Sequence, residues 1–292
     1  MSEIEQLHQQ HVFIGGLHRS GTSVFSRWLG SFPEISSFAS TGVPEDEGQH
    51  LQSVFPPAWH YGGPGRFCFH PEAPLDAKSP LLTRDNILKL RNEWGNLWNK
   101  EKTILLEKSP PNLIHAPFLQ AVFPDARFIF LLRHPVAVAL ATKQITGQPL
   151  DDLMKHWIRA HDILVVHQRM LDSSLCLHYE SLVTIPDHVH SKVQDFTGVT
   201  GVPLSTSPFT DRNPDYFNIW QALRTGNTTA GMTEQLIHTH EFQCNRFGYS
   251  LEYPLDSYKD FSLRKSVEVQ AKRDRIKTVH LKASFDSAND IA

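Results

Sequence analysis

A glycine-rich segment near the start of the chain has the composition of an anion-binding loop. Residues 15–23 are Gly-Gly-Leu-His-Arg-Ser-Gly-Thr-Ser, and they follow a short apolar strand predicted at 11–15. A helix is predicted directly afterwards, over 21–29, because Gly30 and Pro33 end the helical pattern there. Backbone N–H groups in such a strand-to-helix turn, together with the positive end of the helix dipole, hold phosphate-like anions. We therefore expect this segment to bind an anion.

The same loop departs from the pattern that binds Mg·ATP. In the pattern GxxxxGKS/T a lysine follows the second glycine. Gly16 and Gly21 have the correct spacing, but Thr22 stands at the lysine position. The later strand at 128–132 ends in Arg133 and not in an aspartate that could hold Mg²⁺. The loop therefore favours an anion and disfavours Mg·ATP.

Two further cations follow predicted strands. Lys108 comes after the strand predicted at 103–106, and Arg133 comes after the strand at 127–132. Ligands of open α/β sheets bind at the carboxyl edge of the strands, so we expect both cations beside the anion loop. A lysine there can stabilise charge on a leaving oxygen, and an arginine suits bidentate contact with a phosphate.

The elements that must position these residues alternate along the chain. A helix is predicted at 83–99, Asn112 is expected to cap another, and Pro135 suits the first turn of a third. A further strand is predicted at 175–179, with two helices after it. This alternation predicts an α/β fold whose parallel sheet is covered by helices on both faces.

Composition excludes several classes of protein. The chain has 292 residues, 40% of them hydrophobic and 20% charged, and a net charge of −3. These values are typical of a folded water-soluble domain and disfavour a nucleic-acid partner. The first ten residues lack the pattern of a signal peptide, and the apolar run at 128–132 is too short to cross a membrane. Three widely spaced cysteines favour a reducing compartment, so we expect a cytoplasmic protein with no membrane partner.

The chain also contains 17 histidines, which raises the question of a metal site. The closest pairs are His188 with His190 and His238 with His240. Neither pair has cysteine or carboxylate partners at zinc spacing, so we expect no metal.

Taken in order, the motifs resemble those of a known family. They are GxxRSGTS at 16–23, Lys-Ser-Pro at 108–110, RHPxxVAxA at 133–141 and Leu-His-Tyr-Glu-Ser-Leu at 177–182. The chain resembles sulfotransferases that depend on 3′-phosphoadenylyl sulfate (PAPS), in particular the bacterial-type and tyrosylprotein-sulfotransferase-like branch, over about residues 11–250. The resemblance implies a P-loop-like, three-layer α/β fold with a central parallel sheet flanked by helices. It implies a sulfotransferase domain at 1–254, followed by a basic C-terminal extension at 255–292.

The resemblance also implies a role for individual residues. PAPS would be the co-substrate, and its 5′-phosphosulfate would lie on Arg19, Ser20, Gly21, Thr22 and Ser23. Arg19 and Lys108 would stabilise the leaving side of the reaction, and Arg133 would hold the 3′-phosphate. Tyr179 would lie against the nucleotide, while Arg224 and Gly226 loosely match a segment that closes over the 3′-phosphate.

Two departures from the family pattern affect the expected site. Ala141 stands where the family has a serine, so a second 3′-phosphate contact is lost or passes to Thr142. Lys108 is followed by Ser-Pro and not by the Thr-His of the cytosolic small-molecule branch, so a histidine base is absent. The acidic cluster at 45–47 lies where the tyrosylprotein-like branch has its catalytic glutamate. Glu45 is the first candidate base and Glu47 the second.

The predicted function is transfer of a sulfuryl group from PAPS to a hydroxyl or amine of a small molecule or glycan. The long loop at 41–74, rich in glycine, proline and aromatic residues, is expected to form the acceptor pocket. Two alternatives are a P-loop nucleotide kinase or NTPase and a catalytically inactive nucleotide-binding module. The sequence predicts neither the acceptor nor the oligomeric state.

Overall fold

The computed structural model describes residues 9–204 and 209–256. Their strands form one parallel sheet of five strands in the order β2-β3-β1-β4-β5. The strands are β1 (Gln10–Gly16), β2 (Ile35–Ser37), β3 (Ile104–Lys108), β4 (Arg127–Leu132) and β5 (Ser174–His178). The predicted parallel α/β sheet is thus confirmed, with β1 at its centre.

Nine α-helices lie in the described part of the chain. They are α1 (Thr22–Leu29), α2 (Arg84–Gly95), α3 (Asn112–Val122), α4 (Pro135–Thr146), α5 (Leu150–Gln168), α6 (Tyr179–Thr184), α7 (Pro186–Thr197), α8 (Asn213–Thr225) and α9 (Ala230–Asn245). Between β2 and α2 the chain forms short 3-10 turns at Pro44–Asp46, Gly48–His50, Ala58–Tyr61 and Phe67–Phe69.

The sheet separates two hydrophobic cores. Successive side chains of a strand point to opposite faces, and in β1 Phe13 joins one core while Val12 and Ile14 join the other. The larger core holds buried residues of α2, α3, α4, α5, α8 and α9. The smaller core holds buried residues of α1, α6 and α7. The fold therefore has three layers, and both faces of the parallel sheet are buried.

The register of the central strands assembles the site. Ile14 pairs with Lys108 across β1 and β3, and Gly16 pairs with Leu131 across β1 and β4. Because the strands are parallel, the loop after β1, Lys108 and Arg133 meet at one edge of the sheet. These residues therefore lie together at the carboxyl edge of the sheet, where the sequence predicted the ligand to bind.

Several local features differ from the sequence prediction. Asn112 does not cap α3: it is the first helical residue, Pro111 occupies the cap position, and no side-chain cap is formed. Tyr179 begins α6 instead of ending the preceding strand. The basic extension at 255–292 lies outside the described residues except for its first two.

Candidate active site

The loop between β1 and α1 has the backbone geometry of an anion site. Gly21 has φ 94° at the N-cap of α1, and no side chain caps the helix, so the first N–H groups of α1 face outward. A Cβ at Gly21 would come within 2.9 Å of the Tyr179 ring, so only glycine fits there. Arg19 also adopts the left-handed region, with φ 69°, and its side chain is exposed at the cleft. Strain of this kind is often found at functional sites.

Several buried polar atoms in and beside this loop have no hydrogen-bond partner among the described residues. Two of them are donors: Ser20 Oγ, on a fully buried residue of the loop, and Arg133 Nη2. Buried polar groups nearly always have partners, so unpartnered donors here indicate a place for a ligand's acceptor atoms. A hydroxyl and a guanidinium N–H are thus unpaired donors at this loop.

Lys108 lies at the end of β3 and is only 4% exposed. Its Nζ is 2.9 Å from Glu47 Oε1 and 3.1 Å from Ser23 Oγ, so it joins the anion loop to an acidic side chain. Glu47 is 7% exposed and accepts a second hydrogen bond, at Oε2, from Gln49 Nε2. A buried cation and a buried carboxylate therefore lie side by side in the cleft.

Glu107 fixes the segment that carries Glu47. The Glu107 carboxylate is buried and accepts hydrogen bonds from Gly48 N (3.0 Å), Ser109 Oγ (2.6 Å) and Asn112 Nδ2. Burial raises the pKa of this carboxyl to about 7. Since every close partner is a donor, the geometry suits the ionised form. Glu107 thereby links Gly48, which follows Glu47, to Ser109, which follows Lys108.

A second buried network orients Arg133. Its Nε donates to Asn213 Oδ1 (2.8 Å) and its Nη1 to the carbonyl of Arg19 (2.9 Å). The guanidinium lies 4.2 Å from the centre of the Tyr179 ring. Asn213 is held in turn by Glu180, whose Oε1 accepts from Asn213 Nδ2 at 2.7 Å. With Nε and Nη1 engaged, Nη2 is the guanidinium nitrogen left without a partner among the described residues.

One cleft of about 840 Å³ brings most of the candidates together. Its lining includes Arg19, Gly21, Thr22, Ser23, Glu45, Glu47, Arg133 and Tyr179. Ser20, within the loop, is buried and does not line the cleft, and Lys108 contacts Ser23 and Glu47 from the sheet side.

Other candidates lie elsewhere. Thr142 is buried in α4 and borders a separate small cavity. Arg224, at the end of α8, donates from Nη1 to the carbonyl of Glu252 (2.7 Å), and Gly226 caps that helix; neither lines the cleft. Glu45 does line the cleft, but its carboxylate is exposed and lies 3.4 Å from Arg27 Nη1.

His18 forms part of the cleft as an uncharged ring. Burial lowers its pKa to about 3, and the positive charges of Lys108, His50 and Arg19 act in the same direction. Its Nδ1 has no partner among the described residues, and its ring lies edge-on to Phe67 at 5.7 Å. A neutral His18 adds no charge next to Lys108.

Residues of the site for which the sequence predicted no role include Gln49, Glu107, Glu180 and Asn213. The sequence could have indicated Glu107, because an acidic residue at the end of the apolar run 104–106 must be buried and needs hydrogen-bond donors. No local sequence pattern could have indicated Asn213, since it is 80 positions from Arg133, to which it is hydrogen-bonded.

Two kinds of feature are absent from the described residues. They contain no group of three or more His, Cys, Asp or Glu side chains placed to hold a metal ion. No helix in that part of the chain is both long and apolar enough to cross a membrane.

Comparison with known proteins identifies the family. A model of the sulfotransferase family matches residues 11–203, which is more than half of the chain. The chain therefore belongs to the sulfotransferase family. That match spans the anion loop, Lys108, Arg133 and Tyr179.

A curated relative and two solved structures are similar to the chain. Protein-tyrosine sulfotransferase 2 of Gallus gallus is 23% identical over 198 residues, covering 65% of this chain and 51% of the relative. The chain thus spans about half the length of that relative. The sulfotransferase domain from the Synechococcus PCC 7002 olefin synthase has a TM-score of 0.50 at 18% identity, covering 86% of this chain and 98% of that one. Sulfotransferase STF1 from Mycobacterium tuberculosis H37Rv has a TM-score of 0.45 at 15% identity, covering 73% and 75%. The likeness to the Synechococcus domain shows the fold.

Proposed function

We propose that this sulfotransferase moves a sulfuryl group from PAPS to a hydroxyl or amine acceptor, in a domain formed by residues 1–254. The observation that carries the proposal is the contact of Lys108 Nζ with Glu47 Oε1 at 2.9 Å and with Ser23 Oγ at 3.1 Å. This arrangement puts a cation and a candidate base next to an anion loop. Such a pair can stabilise a leaving oxygen and remove a proton from an attacking group.

The residues around the cleft fit PAPS at two anionic positions. The N-terminus of α1 and the unpartnered Ser20 Oγ suit the 5′-phosphosulfate. Arg133 Nη2 suits the 3′-phosphate, and the Tyr179 ring beside it suits the nucleotide. When bound, PAPS supplies the sulfuryl group and leaves as 3′,5′-ADP.

Three residues of the chain have separate roles in the proposed reaction. As the acceptor oxygen bonds to sulfur and the bond from sulfur to the bridging oxygen breaks, Glu47 accepts the acceptor's proton. Lys108 donates a hydrogen bond to the bridging oxygen that takes the electron pair, and Arg19 adds positive charge on the same side. Burial of Lys108 and Glu47 strengthens both interactions, because water screens them little.

Geometry favours Glu47 over Glu45 as the base, in contrast to the order of preference from sequence. Glu47 is buried against Lys108, whereas Glu45 is exposed and faces Arg27. A base must reach the acceptor's proton in a place from which water is excluded, and Glu47 meets that condition.

The proposal includes a cytoplasmic setting and an acceptor that is a small molecule or a glycan. Three free cysteines, Cys68, Cys176 and Cys244, support a reducing compartment.

Ligand titration tests the donor. We expect the full chain to bind 3′,5′-ADP at least 100-fold more tightly than Mg·ATP, because Arg133 recognises the 3′-phosphate. Preference for Mg·ATP would favour a nucleotide kinase or NTPase and contradict the proposal. Binding of 3′,5′-ADP with no transfer of labelled sulfuryl groups to hydroxyl, amine or glycan acceptors would favour an inactive nucleotide-binding module.

A further inference from the structure

The wall of the cleft contains large apolar side chains that face water. Trp59 and Ile145 are each 59% exposed and Ile219 is 40% exposed, and all three line the cleft together with Pro64. Single exposed apolar residues are common, but a group of them along one cleft marks a binding surface. We call Trp59, Pro64, Ile145 and Ile219 the apolar wall.

The local backbone holds Trp59 in place despite its exposure. Gly62 and Gly63 both have positive φ, and the N–H of Gly63 donates to the carbonyl of Ala58 at 2.9 Å. A Cβ at Gly63 would lie 2.7 Å from the Trp59 ring, so the ring packs directly on this backbone. The next residue, Pro64, is tied to the connection between α4 and α5, because its carbonyl accepts from Gln148 Nε2 at 3.0 Å. The ring is therefore presented to the cleft by a fixed turn.

The apolar wall is linked to the candidate base. Gln49 Nε2 donates to Glu47 Oε2, and Gln49 Oε1 accepts from the N–H of Ala58 at 2.8 Å. Ala58 immediately precedes Trp59, so one amide side chain connects the base to the start of the wall. The groups proposed to bind the nucleotide, by contrast, are Arg133 and Tyr179, whose side chains lie together. The wall thus begins on the acceptor side of the cleft.

Two arginines that line the cleft already have carboxylate partners. Arg27 lies 3.4 Å from Glu45, and Arg212 lies 3.9 Å from Asp215. An acidic peptide would have to displace these carboxylates. A sugar needs several directed hydrogen bonds, and the wall itself offers apolar surface with Gln144 as its neighbour on α4. Both kinds of acceptor fit the wall less well than an apolar one.

We infer that the acceptor is an alcohol or phenol with an aromatic or branched aliphatic body, which packs on the apolar wall while its hydroxyl reaches Glu47. This inference rests on the proposed sulfuryl transfer and narrows its acceptor class. The apolar body contributes binding by leaving water, and Trp59 contributes the largest contact area.

An acceptor panel tests the inference with the full chain and labelled PAPS. The probes are 2-naphthol, cyclohexanemethanol, glucose and a tyrosine peptide flanked by acidic residues. We expect kcat/KM for the two apolar acceptors to exceed that for glucose and the peptide by at least 30-fold. A preference for glucose or for the peptide overturns the inference and leaves the sulfuryl transfer intact. Transfer to none of these acceptors, in a preparation that also fails to bind 3′,5′-ADP, overturns both.

Paired variants test the wall itself. Trp59→Ala is expected to lower kcat/KM for 2-naphthol about tenfold, mainly through KM, with the affinity for 3′,5′-ADP unchanged. Phe242→Ala is the matched control, because Phe242 is an aromatic residue 76% exposed on α9, away from the cleft.

Ile145→Asn provides a second test on the helix α4, with Val166→Asn on α5 as its control. Val166 is a similar residue, 50% exposed and outside the cleft lining. We expect Ile145→Asn to lower kcat/KM for the apolar acceptors three- to tenfold more than Val166→Asn does. Equal losses for each variant and its control, or losses as large for glucose as for 2-naphthol, overturn the inference.

Discussion

The backbone N–H of Gly48 donates to the buried carboxylate of Glu107 at 3.0 Å, although 59 positions separate the two residues. Gly48 follows Glu47, and Glu107 precedes Lys108. The hydrogen bond therefore fixes how the candidate base approaches the cation. Ser109 reinforces it, because its hydroxyl donates to Glu107 and accepts from Gln49 N at 2.9 Å.

Glu107→Gln tests this positioning role. Replacing one oxygen by an NH₂ group removes an acceptor that Gly48, Ser109 or Asn112 uses. We expect kcat to fall about 10- to 100-fold, because small displacements of reacting groups are costly. The affinity for 3′,5′-ADP, measured by calorimetry, should change less than threefold.

Glu93→Gln is the control for that variant. Glu93 accepts from Ser53 N (2.9 Å) and Ser53 Oγ, so it also attaches the long loop to a helix, but further from Glu47. Its kcat should stay within threefold of wild type. A similar loss of kcat in both variants would show that Glu107 has only a structural role.

Gly48→Ala tests how closely the two segments must approach. A Cβ there would overlap the Glu107 carboxylate, whereas a Cβ on Gly95 of α2 would meet no atom within 4 Å. We expect Gly48→Ala to lower the free energy of unfolding by about 1–3 kcal/mol and to reduce kcat. Gly95→Ala should leave kcat unchanged and raise stability by about 0.4–1 kcal/mol. Denaturant titration of both variants is the measurement, and equal stabilities would contradict the described packing.

Asn213→Ala tests how Arg133 is oriented. The change removes the acceptor for Arg133 Nε and leaves Glu180 without one of its donors. We expect the Kd for 3′,5′-ADP to rise about tenfold, and the Kd for 5′-AMP, which lacks the 3′-phosphate, to change less than twofold. Equal weakening of both ligands would mean that Arg133 does not recognise the 3′-phosphate.

The histidines predict how stability depends on pH. Burial lowers the pKa of His11, His115 and His161 to about 4, and that of His134 and His156 to about 3. The unfolded chain takes up protons near pH 6.5 while these rings stay neutral in the native state. The contribution of these neutral rings to the free energy of unfolding is therefore present above pH 6.5 and is lost as the pH falls towards 4. Glu107 and Glu180 have the opposite effect on stability. Burial raises the pKa of each carboxyl, so the native state takes up their protons first as the pH falls.

His161→Phe should weaken that dependence. Removing one ring that must stay neutral should reduce the loss of unfolding free energy between pH 7 and pH 5 by about 1–2 kcal/mol. His238→Gln is the control, since His238 is exposed on α9. Urea titrations at several pH values measure both, and an unchanged slope in His161→Phe would contradict the prediction.

The sequence predicted those features of the fold and the site that depend on residues close together in the chain. Strand ends, the glycine loop and Pro135 at the start of α4 follow from hydrophobic pattern and turn chemistry, and they locate Lys108 and Arg133. The three-residue strand β2 was not predicted, because it is too short to show alternation. The preference for Glu45 followed from its position in a motif, but burial of Glu47 beside Lys108 depends on tertiary contacts. The hydrogen bonds of Asn213 and Gln49 likewise join segments that sequence spacing does not relate.

Single-turnover transfer from labelled PAPS by Glu47→Gln and Glu45→Gln tests the central claim most directly. The two variants make the same chemical change two positions apart, one on a buried carboxylate that contacts Lys108 and one on an exposed carboxylate. We predict that Glu47→Gln slows transfer at least 10³-fold with little change in 3′,5′-ADP affinity, and that Glu45→Gln slows it less than tenfold. A larger loss in Glu45→Gln, or full activity in Glu47→Gln, would contradict the assignment of Glu47 as the base.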